Sequence, residues 1–213
     1  MKTSLWRAVL VSLAASIAPF AAHAQLDSCS LALSNAAYSG PVDTESAKLR
    51  CDLERAALIR NRATLFYGGE TNSLVEIIDT ASPSGAAYVY NVLDQNGTLS
   101  LDARSVPDGK GMRCRLRATL PDDTANSLSM LLASAADPQL PDYGPREEVT
   151  LNPDGSRTVR LVIESHDVIT RAQTPGGTRQ FSRHAGSDDP INRLNNLVIG
   201  FANVSPAWDC KAS

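Results

Sequence analysis

The 213-residue chain reads as an α+β domain: an antiparallel β-sheet of hairpin-linked strands with about three helices packed on one face. Three observations predict it. Turn signals at Asp94-Gln95-Asn96-Gly97, Asn152-Pro153-Asp154-Gly155 and Thr174-Pro175-Gly176-Gly177 interrupt β-type runs, and such turns join antiparallel neighbours. Three other segments carry apolar residues at helical spacing. Their order is helix, about four strands, helix, about four strands, helix, which segregates the two kinds of element.

The first helix is expected from about Thr44 to Tyr67. Asp43 or Thr44 can cap it, Glu45 suits its positive end, Arg60 and Arg62 suit its negative end, and Gly68-Gly69 stops it. Leu49, Leu53, Ala56 and Ala63 form one stripe, while Cys51, Leu58 and Leu65 lie nearly opposite, so cover is expected on both sides. Strands follow at Leu74–Ile78, Ala87–Leu93, Thr98–Ala103 and Met112–Ala118. The last alternates, with Met112, Cys114, Leu116 and Ala118 facing the core and Arg113, Arg115 and Arg117 facing away.

A second helix is expected from about Thr124 to Ala136, capped by Asp122 or Asp123 and buried through Leu128, Leu131, Leu132 and Ala135. Prolines 138, 141 and 145 keep Asp137–Glu148 irregular, which makes it a candidate binding loop containing Tyr143. Strands resume at Val149–Leu151, Arg157–Glu164, Val168–Gln173 and Thr178–Arg183. The last helix starts at Pro190 under a Ser187-Asp188-Asp189 cap, with Ile191, Leu194, Val198 and Phe201 as its apolar stripe.

Residues 1–24 have the form of a secretory signal peptide: Lys2 and Arg7, an apolar run over Ala8–Phe20, then Ala22-His23-Ala24. What remains, residues 25–213, is expected to be a single globular domain, periplasmic or secreted. Its formal charge moves from −3 to −5 once Lys2 and Arg7 are gone, which argues against general nucleic-acid binding. No later run is long enough to cross a membrane as a helix. Cys29, Cys51, Cys114 and Cys210 lack the close spacing of a zinc knuckle. In an exported chain they are expected to form two disulfides, Cys29–Cys51 and Cys114–Cys210.

Few residues point to chemistry. A two-residue loop at Pro175-Gly176 sets His184 opposite Asp167, and His166 opposite Ala185 on the other side of the sheet. His166, Asp167 and His184 are therefore the catalytic candidates. A one-residue bulge would bring both imidazoles together with Asp188 or Asp189, a nitrogen-and-oxygen set that suits a divalent metal. Histidines at strand ends are usually solvated, and both aspartates already serve as caps, so no metal site is favoured and no cofactor is expected. No Gly-x-Ser-x-Gly elbow or phosphate-binding glycine loop is present.

Arg113, Arg115 and Arg117 are more distinctive. Guanidiniums spaced about 7 Å apart on one strand face repel unless anions lie opposite, and Glu76 or Asp102 can supply them. Such a stripe is commonly a solvated outer face. It also suits an acidic protein surface or an anionic envelope component. The resulting expectation is an exported binding domain, of the inhibitor, immunity-type or envelope-accessory kind, with Arg113, Arg115, Arg117 and Tyr143 as binding residues. The alternative is a hydrolase, possibly metal-dependent, built around His184, Asp167 and His166.

Overall fold

Hairpin turns, helix stops and apolar stripes assemble into a main sheet with helices on both of its faces and a separate two-stranded pair. The computed structural model describes residues 41–69, 72–80, 86–107, 111–144, 147–161, 167–184 and 188–212. The expected leader, Cys29 and His166 lie outside the described residues.

Helix α1 (Pro41–Tyr67) comes first. It ends where Gly68 takes a left-handed φ of 81° and donates its N–H to the Thr64 carbonyl. Four antiparallel strands follow: β1 (Ser73–Asp79), β2 (Ala86–Gln95), β3 (Thr98–Pro107) and β4 (Arg113–Thr119). After helix α2 (Asp122–Ala135) come β5 (Glu147–Leu151), β6 (Arg157–Leu161), β7 (Asp167–Thr174) and β8 (Gly177–His184). Helix α3 (Pro190–Val204) and the short strand β9 (Trp208–Lys211) close the chain. The main sheet has seven strands in the order β8-β7-β1-β2-β3-β4-β9, and β5-β6 form a separate pair.

Residue parity sends alternate side chains to two cores. Val75, Ile77, Tyr90, Val92, Leu101, Ala103, Leu116 and Val168 meet Leu128 of α2 and Leu194, Val198 and Ala202 of α3. On the opposite face Ile78, Val89, Val106 and Ile169 meet Ala56, Ile59 and Ala63 of α1. The expectation of helices on one face is thereby corrected. Strands β1, β2, β3 and β7 are apolar on both sides near the sheet centre, so each face needs cover.

Asp189 caps α3 by accepting from the Asn192 N–H at 2.9 Å, and Pro190 takes the first turn. Helix α2 differs from expectation: Pro121 precedes it with no side-chain cap, and Asp122 and Asp123 lie in its first turn, where they oppose the helix dipole favourably. Arg60 and Arg62 reach away from their helix end, to Glu76 and to the Pro107 carbonyl. Leu65 and Met112, expected to be covered, are 83% and 64% exposed. The Cys114–Cys210 disulfide is present and joins residues directly opposite each other on β4 and β9. The other expected pair includes Cys29, outside the described residues, and Cys51 is not a free thiol.

Candidate functional site

The register of the central strands lines up a polar row on the α1 face. Arg171, Glu76, Asn91, Asp102 and Arg117 stand opposite one another in turn across β7, β1, β2, β3 and β4. In the next row Arg104 stands opposite Arg115, which stands opposite Asp209. Helix α1 covers the apolar rows, and its end reaches β3 and β4, where the Tyr67 hydroxyl donates to the Ser105 and Cys114 carbonyls.

Asp102 organises that end. Its carboxylate is 3% exposed and accepts from Arg104 Nε at 2.8 Å, Arg115 Nε at 3.2 Å and Arg117 Nε at 3.1 Å. Burial favours its neutral form, but hydrogen bonds from Arg104 and Arg115, and their charges, outweigh burial and bring the carboxyl down to about 2. Arg104, 2% exposed at its side chain, is further held by the Gly68 carbonyl at 2.6 Å. Glu76, the other candidate counter-ion, is engaged by Arg60 at 2.6 Å and by Arg171 at 3.6 Å.

One carboxylate thus serves three guanidiniums, and the arginine row is half sunk into the α1 face. Arg117 is two-thirds exposed, and among the described residues its partner is Asp102, through Nε. Its two terminal nitrogens stay open to a ligand. Asp102 and Arg117, with Leu93, Gln95, Ser100 and Thr119, line a concavity of about 370 Å³, within the range of ligand sites. Arg113 lies over the Phe66 ring, 4.0 Å from its centroid, opposite Lys211 on β9.

Tyr143 does not join this surface. Its segment docks on β8, where the Asp142 carbonyl and the Gly144 N–H bond to the Ser182 backbone, while Arg113, Arg115 and Arg117 lie on β4, five strand spacings or roughly 24 Å away. The loop is also firmly anchored. Arg179 spans the carbonyls of Ala135, Asp137 and Leu140, and Arg183 bonds to the carbonyls of Pro141, Asp142 and Ser182.

The hydrolase candidates fall elsewhere. His184 stands opposite Asp167, as the two-residue loop requires, and both lie on the α1 face with Ser182. Asp167 pairs with Lys48 at 2.7 Å, Lys48 with Asp52 at 3.1 Å, and the Ser182 hydroxyl donates to Asp52 at 2.8 Å. Burial, more than the nearby Asp167 charge, pushes the Asp52 carboxyl up against the pull of Lys48 and Ser182. Ser182 and His184 are 1% and 2% exposed. Asp188 pairs with Arg193 on the surface. Among the described residues no cluster of three or more His, Cys, Asp or Glu side chains could hold a metal.

The Lys48–Asp52 part of this network is absent from the sequence expectations. Its signal is an aspartate on the buried stripe Asp52, Ala56, Ile59, Ala63 of α1, a position that demands a partner. Comparisons with protein-family models, curated proteins and solved structures find no match for this chain.

Proposed function

We propose that the protein is an exported, non-enzymatic domain that binds the anionic surface of another macromolecule through Arg113, Arg115 and Arg117. The observation that carries this reading is the imbalance around Asp102: one buried carboxylate gathers three guanidiniums and leaves the terminal nitrogens of Arg117 open at a concavity. Counting Arg104, Arg113, Arg115, Arg117 and Lys211 against Asp102 and Asp209, the patch has a net charge of +3 on a chain of −3. A fixed guanidinium fork recognises carboxylates and sulfates in a geometry that a lysine does not offer. Export is supported by the leader-like residues 1–24 and by the Cys114–Cys210 bridge.

The test uses fluorescence anisotropy with two anionic probes, a polyglutamate oligomer and a sulfated oligosaccharide. At least one should bind the full chain, and Arg113→Gln with Arg117→Gln should weaken it at least tenfold. Both residues are exposed, so the fold should survive. Arg115 is a poorer target, since reversing its charge would place a second carboxylate against buried Asp102. Binding of neither probe, or undiminished binding by the double variant, overturns the proposal.

The juxtaposition of Ser182, His184 and Asp167 on one sheet face favours the hydrolase as the second reading. A serine-directed fluorophosphonate should leave Ser182 unmodified if the protein is a binding domain. Stoichiometric labelling there would establish the hydrolase instead.

A further inference from the structure

The concavity beside Arg117 holds more donors than one guanidinium fork. Six of the residues lining it, Leu93, Gln95, Ser100, Asp102, Arg117 and Thr119, take alternate positions on β2, β3 and β4 and share the α1 face of the sheet. Leu93 stands opposite Ser100, and Ser100 opposite Thr119, in the row next to Asp102 and Arg117. Directly opposed residues such as Ser100 and Thr119 have Cβ atoms about 5 Å apart, and Arg117 lies two residues from Thr119, about 7 Å along the strand. Among the described residues neither hydroxyl has a hydrogen-bond partner, nor does the Gln95 side chain. Asp102 does not compete for these donors. Its Oδ1 already accepts from Arg104 and Arg115, and its Oδ2 from Arg115 and Arg117, which fills the acceptor sites of a carboxylate.

We infer that this concavity binds a phosphate monoester, with the Arg117 fork and the Ser100 and Thr119 hydroxyls on the terminal oxygens and the esterified group against Leu93 and Gln95. This rests on the anion-binding reading above and narrows its ligand from any anionic group to a phosphate ester. Shape is the first reason. A carboxylate is planar, and a guanidinium fork satisfies both of its oxygens. The two hydroxyls are carried on Cβ, low on the sheet, whereas the fork ends a much longer side chain, so the donors stand at two heights. A tetrahedral group with three terminal oxygens meets both heights.

Charge and size agree with shape. The patch carries a net charge of +3, and a phosphate monoester brings about −1.5 to −2 at neutral pH, more than a carboxylate or a sulfate ester. A volume of about 370 Å³ suits a small molecule rather than a lone ion. Leu93, 9% exposed, gives the esterified group an apolar floor, and the Gln95 amide gives it a hydrogen-bonding rim.

The experiment is titration calorimetry of the full chain with glucose 6-phosphate, inorganic phosphate, inorganic sulfate and acetate. Glucose 6-phosphate should bind more tightly than inorganic phosphate, and about tenfold more tightly than sulfate or acetate. Ser100→Ala with Thr119→Val, checked for fold by circular dichroism, should weaken it about tenfold and leave polyglutamate binding within about twofold. Phosphatidate in phosphatidylcholine vesicles presents the same group at a membrane. Co-sedimentation that the double variant abolishes assigns the site to a lipid headgroup, and binding of glucose 6-phosphate alone assigns it to a soluble ester. Phosphate esters that bind no more tightly than acetate or inorganic phosphate, or binding that the double variant leaves unchanged, would overturn the phosphate site. The anion-binding reading then stands if polyglutamate or the sulfated oligosaccharide still binds through Arg113 and Arg117. If no anion binds, both fall.

Discussion

Replacing Asp102 with asparagine keeps the shape of the side chain and removes the negative charge that Arg104, Arg115 and Arg117 share. Arg104 and Asp102 are 2% and 3% exposed at their side chains, so the change strands a buried cation. Losing one partner of such a pair costs about 3–5 kcal/mol. A second route starts from acidity. The folded carboxyl titrates near 2 against an ordinary 3.8, and at about 1.4 kcal/mol per pH unit this holds about 2 kcal/mol at neutral pH. Together they set an expected loss of about 3 kcal/mol, a fall in Tm of roughly 6–12 °C for a domain of this size. Because the folded carboxyl is the stronger acid, its stabilisation is complete above the unfolded value and is lost as pH falls through the folded one. The difference between wild type and Asp102→Asn, from urea unfolding followed by tryptophan fluorescence with the disulfide intact, should narrow by about 1 kcal/mol between pH 7 and pH 3. Equal stability of the two proteins at pH 7, or a difference that acid leaves unchanged, would refute the reasoning.

Asp52 should behave in the opposite sense. Its carboxyl is raised, mainly by burial, so its ionised form works against folding above the unfolded value of 3.8. Asp52→Asn should match or exceed wild-type stability at pH 7, with Lys48 still held by Asp167, and the advantage should vanish in acid; a clear loss at pH 7 counts against this. At Gly144 a Cβ would sit 2.7 Å from Arg183 Cδ. Gly144→Ala should therefore destabilise by about 1–3 kcal/mol and hasten protease cleavage within Asp137–Tyr143, and an unchanged cleavage rate would show that Arg183 gives way. Thr170 donates to Asn195 Oδ1 at 2.7 Å, while Asn195 Nδ2 has no partner among the described residues. Thr170→Val with Asn195→Leu should be neutral or stabilising in thermal unfolding, whereas Thr170→Val alone should cost about 1–3 kcal/mol.

Much of the chain was legible because its signals are local. Asn96-Gly97 has φ of 57° and 86°, the left-handed pair that a tight two-residue hairpin requires. Pro175-Gly176 fixed the β7–β8 register, and with it the His184–Asp167 pair. Strand alternation placed the arginines together on one face of β4 and Cys114 on the other, where a bridge to the C-terminal segment fits, as the Cys114–Cys210 bond shows. Cover by the helices was less legible. An apolar stripe reports that a helix is buried, but not against which side of the sheet. Leu65 and Met112 satisfy their local periodicities yet lie where the layers end.

By itself, then, the sequence determined the α+β class, the hairpins, the helix stops and the alternation that groups Arg113, Arg115 and Arg117. These depend on turn chemistry and on side-chain periods of two and 3.6, which act over a few residues. Tertiary structure alone decided that Asp102 rather than Glu76 pairs with Arg115 and Arg117, that α1 covers the face opposite α2 and α3, and that Tyr143 lies at the far edge from the arginine patch. Those outcomes depend on the order of strands in the sheet. That order is set by packing between segments more than 100 residues apart, such as Ser182 and Asp52, 130 positions distant in the chain.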